Sequence, residues 1–161
     1  MFNKLQIVAI FVAIPLVLVY MYTSSRGISF RDIFLPGTPV MQIGEIPVRV
    51  EILDSDEERV LGLSGRDALD EVDGLLFIFP EPEYHSIWMK DMNFPIDIIW
   101  IGEDLKVISI DKNVSPASYP KVFRPARPAL YAVETNIHYS DTYGIRAGLD
   151  VRLPIEFLSP K

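Results

Sequence analysis

From Val40 to Phe157 the chain is cut into short apolar runs by glycines, prolines and acidic clusters. That rhythm leaves little room for long helices and favours many short strands. Val40–Ile43 and Val48–Ile52 flank Gly44-Glu45, which predicts a hairpin. In the second run Val48, Val50 and Ile52 alternate with Arg49 and Glu51, so one face is expected to be solvated. Leu75–Phe79 reads as a buried strand, followed by a loop at Pro80–Glu83. His85–Lys90, Ile96–Ile101, Leu105–Asp111, Ala129–Asn136 and Asp150–Phe157 are the remaining expected strands. Residues 114–128 carry four prolines and read as a long irregular loop. One short helix should open at Ser55, which with Glu58 fits a capping box, and end by Gly62 and Gly65. A helical turn is expected at Tyr139–Tyr143. The pattern predicts a mainly β domain over residues 40–158, a single antiparallel β-sandwich or barrel with one or two short helices.

Ahead of it, Leu5–Tyr22 is an uncharged apolar run of 18 residues. At about 1.5 Å per residue a helix of this length reaches roughly 27 Å, close to the hydrocarbon thickness of a bilayer. Pro15 is tolerated in a spanning helix, and Tyr20 and Tyr22 fall where interfacial aromatics belong. Residues 1–26 are therefore expected to be a single-pass membrane anchor, and 27–39, with Gly27, Pro36, Gly37 and Pro39, a linker. A cleaved signal peptide is the alternative, although the run exceeds a usual signal core and no A-x-A follows it. Either reading exports the domain. Lys4 lies on one side of the run and Arg26 and Arg31 on the other, and the first-helix preference puts the domain outside.

The chain carries 15 basic and 22 acidic residues. Setting aside Lys4 and Arg26 of the acid-free residues 1–26 leaves 13 basic against 22 acidic, a net of -9. Nucleic acid repels such a domain and is not an expected partner. No cysteine is present, which excludes disulfides, thiol catalysis and thiolate metal sites.

Asp97 shares a strand face with Ile99 and Ile101, while Ile96, Ile98 and Trp100 occupy the other. With both faces apolar its carboxyl is expected to be buried, and so paired or protonated. Arg59, Arg66 or Lys90 would pair it, or nearby backbone amides would cap it. The functional alternative is a general acid or base, or a ligand contact. Arg59 and Arg66 are either solvated or a grip on an anion, since guanidinium binds carboxylates bidentately. Trp88 and Lys90 share a face opposite Ile87 and Met89, giving either packing or an aromatic wall with a cationic contact. Tyr84, His85 and Trp100 could extend that wall into a sugar- or peptide-binding surface. Glu134, in an apolar strand, is by default a solvated edge residue. Beside Asp97 it would instead suggest acid–base work. His85 and His138 could in principle join Glu134 in a two-His, one-carboxylate metal site, but their spacing gives no support, and no metal or other cofactor is expected. There is no phosphate loop, G-x-S-x-G or H-E-x-x-H. Asn113-Val114-Ser115 matches a glycosylation sequon.

Glu58-Arg59, Gly62-Leu63-Ser64-Gly65-Arg66, Gly74–Phe79, Trp88-Met89-Lys90, Pro95-Ile96-Asp97, Glu134, and Gly144-Ile145 with Gly148 together resemble a prokaryotic family catalogued as domain of unknown function 192. The resemblance covers roughly Val48 to Leu153. It implies a single β-rich domain of jelly-roll character behind a signal or anchor, and supplies no activity, cofactor or catalytic residue. Asp91-Met92 stands where the family usually has Asn-Thr, and His138 where glycine is common.

The first functional expectation is a membrane-tethered, extracytoplasmic binding or accessory domain. Its site would be lined by Arg59, Arg66, Trp88, Lys90, Asp97 and Glu134 and take a small anionic, peptide or sugar ligand. The second is an envelope hydrolase using Asp97 and Glu134 as acid and base. The third is a structural envelope protein whose buried charges fix the fold.

Overall fold

The turn at Gly44, where the backbone takes φ 60, folds β1 (Val40–Ile43) onto β2 (Ile46–Leu53) as the expected antiparallel hairpin. The computed structural model describes residues 38–69 and 73–154. The apolar run at 5–22, most of the linker, and residues 155–157 of the expected last strand lie outside the described residues. Among the described residues no helix is long and apolar enough to cross a membrane.

Helix α1 (Asp56–Leu61) forms where the capping box places it: Ser55 Oγ accepts the Glu58 amide and the Glu58 carboxylate accepts the Ser55 amide. Gly62, at φ 49, ends it. Residues 54–73 carry the chain back, so β3 (Gly74–Glu83) lies parallel to β2, with Val50 opposite Gly74. The sheet is therefore not wholly antiparallel. A crossover of this length is what a parallel pair requires, and periodicity within each strand carries no sign of it. The crossover also covers part of the face expected to be solvated on β2. Arg49 is only 7% exposed and forms an ion pair with Asp73, 3.1 Å away. Glu51 takes the Arg66 fork.

Strand β3 runs on through Pro80 and Pro82, expected as loop. The register with its neighbour is irregular between Ile78 and Glu83, where proline costs no ladder bond. Of His85–Lys90 only β4 (Ile87–Trp88) is a strand, and it pairs outside the main sheet. β5 (Ile96–Ile101) follows as expected, and β6 covers Val107–Val114. The proline-rich stretch holds a 3-10 turn, Pro116–Ser118, and β7 (Val122–Phe123), the partner of β4. β8 (Ala129–Asn136), α2 (Tyr139–Thr142) and β9 (Val151–Arg152) complete the described chain.

Seven strands form one sheet in the order β6-β5-β8-β3-β2-β1-β9. The sheet curls until its edges meet: Lys106 bridges Asp150, and the Val151 amide donates to the Leu105 carbonyl at 2.8 Å. The result is a half-barrel in place of two facing sheets. One apolar cluster, including Met41, Val48, Leu76, Ile99, Val107, Val133 and Val151, draws on all seven strands and fills the curl. A second covers the outer face, where Leu75, Phe77, Ile98, Trp100 and Ala132 pack under Leu63 from the crossover and Ile87 and Phe123 from the β4–β7 ribbon. The space between the crossover and this ribbon is where the candidate site lies.

A groove over a buried carboxyl

Glu134 is the residue around which the site is built. It sits in the middle of the sheet, opposite Leu75 of β3 on one side and Ile98 of β5 on the other. It is 4% exposed, so the solvated edge position expected for it is not what the chain forms. β8 is a central strand, and Glu134 points to the outer, cluster-bearing face. Its Oε2 has no hydrogen-bond partner among the described residues. Burial pushes its carboxyl up to about 8, against a smaller opposing pull from Arg66. At neutral pH this group is mostly a protonated acid, which lowers the cost of burying it.

Above Glu134 opens a pocket of about 570 Å³, within the size range of small-molecule sites. Phe77 and Leu63 lie beside the carboxyl at the floor, α1 supplies one wall through Arg59 and Val60, and Ser86, Ile87 and Trp88 supply the other. Phe79 stacks on His85 with ring centroids 3.7 Å apart, closing one end. The groove continues outward past Asp56, Leu61, Ser64, Trp88, Lys90 and Asp91. α1 buries none of its residues, and Val60 and Leu61 are 70% and 61% exposed. Trp88 is 46% exposed. These apolar groups flank the opening and are not spent on the core.

Local backbone explains how the walls are set. Gly62, at φ 49, makes the turn that ends α1 beside the Phe77 ring, which a Cβ there would meet at 3.4 Å, an ordinary contact. Gly65, at φ 74, donates its amide to the Asp91 carbonyl, and Ser64 Oγ donates to the Lys90 carbonyl. The crossover and the segment after β4 are thus stitched together. Asp91 itself has φ 56, and His138, ahead of α2, has φ 66. Asp and Asn both tolerate that left-handed conformation, and glycine does so freely, which accounts physically for both departures noted in the sequence.

The six residues expected to line a site do not all come together. Arg59, Trp88 and Glu134 line the pocket, and Lys90 lines its outer continuation. Arg59 is engaged internally: its guanidinium donates to the Asp54 and Ile78 carbonyls and pairs with Asp56, fastening α1 to β3. Arg66 lies in neither part and forks onto Glu51 with two bonds of 2.7 Å, holding the Glu51 carboxyl below its usual range. Helical geometry stops at Gly62, so the two arginines do not share a face.

Asp97 is on the opposite side of the sheet, fully buried. The pairing with Arg59, Arg66 or Lys90 is not formed. Its carboxylate accepts the amides of Asn113 at 2.8 Å and Ser140 at 3.0 Å. It thereby ties β6 and the start of α2 to the end of β5. Because β5 alternates, Ile98 faces Glu134 while Asp97 faces away, and the two carboxyls share no solvent space. Trp100 is fully buried with its indole donating to Asp111, so it extends no surface wall. His85, His138 and Glu134 form no metal-ligand group among the described residues.

The residues missed by sequence reasoning are the apolar ones: Val60, Leu61, Leu63, Phe77, Phe79 and Met92. The one signal available was Val60-Leu61 on a six-residue helix whose other residues are all charged, too short to bury an apolar stripe of its own.

Residues 39–153 match the family domain of unknown function 192, described as an uncharacterized ACR. No curated protein matches the chain. A crystal structure of a protein of unknown function from Novosphingobium aromaticivorans DSM 12444 is similar, with a TM-score of 0.66 and 29% identity over 71% of this chain and 83% of that one. A candidate transcription regulator from Sinorhizobium meliloti 1021 is similar too, with a TM-score of 0.66 and 25% identity over 72% of this chain and 92% of that one.

Proposed function

The chain belongs to the domain of unknown function 192 family, and we propose that it is a binding domain whose groove between α1 and β4 receives a small ligand or a peptide side chain. The ligand has an apolar body and a polar end. The observation that carries this is the unpartnered, buried Oε2 of Glu134, in a groove whose lining is mainly apolar. Leaving a buried polar atom unpaired costs about 1–3 kcal/mol, a cost a ligand group could offset. The exposed Val60, Leu61 and Trp88 at the opening give the body of the ligand a surface to lie on. In this reading residues 5–22 tether the domain to a membrane, a role supported by their length and lack of charge, and the first-helix preference places the domain outside the cytoplasm.

Binding is favoured over hydrolysis because the two candidate carboxyls lie on opposite faces, so an acid–base pair built on Asp97 and Glu134 has no common substrate. A role as a transcription regulator, the description of the Sinorhizobium protein, has no support here in any direct contact with nucleic acid, which the net of -9 outside residues 1–26 disfavours.

The test is fluorescence of the full chain. Trp100 is sealed in the core and Trp88 is exposed, so added ligand changes the Trp88 emission. Titration with n-pentylamine, n-pentanol and n-pentanoate, one stem with three heads, should give a saturable shift with at least one of them. The shift should be lost in Ser64→Phe, which plugs the groove. No shift with any of the three, or an equal shift in Ser64→Phe, refutes the reading.

A further inference from the structure

We propose that the groove selects an alkylammonium, whose charged head docks on Glu134 and whose stem lies against Phe77 and Trp88. This rests on the groove being a binding site and names the chemistry of its ligand. Glu134 lines the pocket, its unpartnered Oε2 is buried, and once the carboxyl is ionised that oxygen needs a donor. An ammonium supplies a donor and a compensating charge in one group. A carboxylate head would pair only with the protonated form and would supply no charge to compensate the ionised one.

The surroundings favour a cation as well. Asp56, Glu57 and Asp91 outnumber Lys90 along the outer groove. The guanidinium of Arg59 is taken up by Asp56 and two backbone carbonyls, and that of Arg66 by Glu51. Neither is free to hold an anion. The half-exposed indole of Trp88 offers a face to a passing cation. Such a head can come from a free amine or from a lysine side chain, and the two share this chemistry.

Docking converts Glu134 from acid to carboxylate. The proton leaves Oε1 or Oε2 for solvent as the ammonium, which keeps its own protons, takes its place. The charged and titratable groups around it are Arg59 and Asp56 from α1, His85 ahead of β4, and Arg66 beyond the pocket. With the free carboxyl at about 8, close to 0.9 proton is released per site at pH 7.

The experiment is isothermal titration calorimetry of the full chain at pH 7 in two buffers of different ionisation enthalpy. The ligands are n-pentylamine, n-pentanol and the blocked peptide acetyl-Ala-Lys-Ala-amide. The amine should bind at least tenfold more tightly than the alcohol and release nearly one proton. Glu134→Gln should reduce that preference to within about twofold and abolish the release. A tighter peptide identifies lysyl chains as the ligand source, and a tighter amine identifies free amines. Equal binding of amine and alcohol, both shifting Trp88 emission, overturns the inference and leaves the groove reading standing. Failure of all three ligands to bind overturns both.

Discussion

Replacing Glu134 by glutamine should remove a large pH dependence from the stability of the fold. Burial raises its carboxyl from an ordinary 4.5 to about 8. Between those values the folded chain holds a proton that the unfolded chain has lost. Folding therefore takes up a proton, and raising the pH destabilises the fold by about 1.4 kcal/mol per unit across that window. Below 4.5 both states are protonated and there is no penalty. Above about 8 both are ionised and the penalty is complete, at roughly 5 kcal/mol. At pH 7 most of it, about 3 kcal/mol, is already present. The assay is urea unfolding of wild type and Glu134→Gln from pH 5 to 9. Other groups titrate equally in both, so the difference between the two profiles isolates this one. With slopes of about 1–3 kcal/mol per molar urea, the wild-type midpoint should fall by roughly 1–4 M relative to the variant. Parallel profiles would refute the burial argument and show that Glu134 finds a donor or solvent in solution.

Asp97→Ala should cost about 2–3 kcal/mol in urea unfolding, since it strands the buried amide of Ser140 and the part-buried amide of Asn113; a loss under 1 kcal/mol would mean the carboxylate is no latch. Gly74→Ala should lower Tm sharply, because a Cβ there would stand 2.5 Å from the Glu134 carbonyl, and an unchanged Tm would show that β3 and β8 separate easily. Arg66→Ala breaks a half-exposed fork and should cost only about 1 kcal/mol, with the pentylamine affinity within a few-fold of wild type; loss of binding would return Arg66 to the site.

Strand identity was legible where both faces of a strand are apolar or a turn residue is decisive. Ile96–Ile101, Ala129–Asn136 and the Gly44 hairpin follow from local pattern alone. So does α1, because Ser55 and Glu58 satisfy each other within four residues. The parallel pairing of β2 and β3 was not legible, because it depends on where the 54–73 crossover returns. For the same reason Arg49 read as solvated: its cover, Asp73, comes from residues remote in sequence. The burial of Asp97 could be read from its neighbours, and capping by backbone amides was one of its two expected forms, but which amides could not be read, since they carry no residue signature. Glu134 showed the opposite failure. Its side chain is conspicuous, yet whether a strand is central or at an edge is settled by sheet order, which local alternation does not encode.

The most direct measurement is carbon-13 NMR of the Glu134 side-chain carboxyl in the full chain, titrated with and without n-pentylamine. A free-chain midpoint near 8, with the ionised resonance appearing at pH 7 as amine is added, is the expected result. A midpoint near 4.5, unmoved by amine, would show that the groove ends on an ordinary solvated carboxylate and that no ligand meets it there.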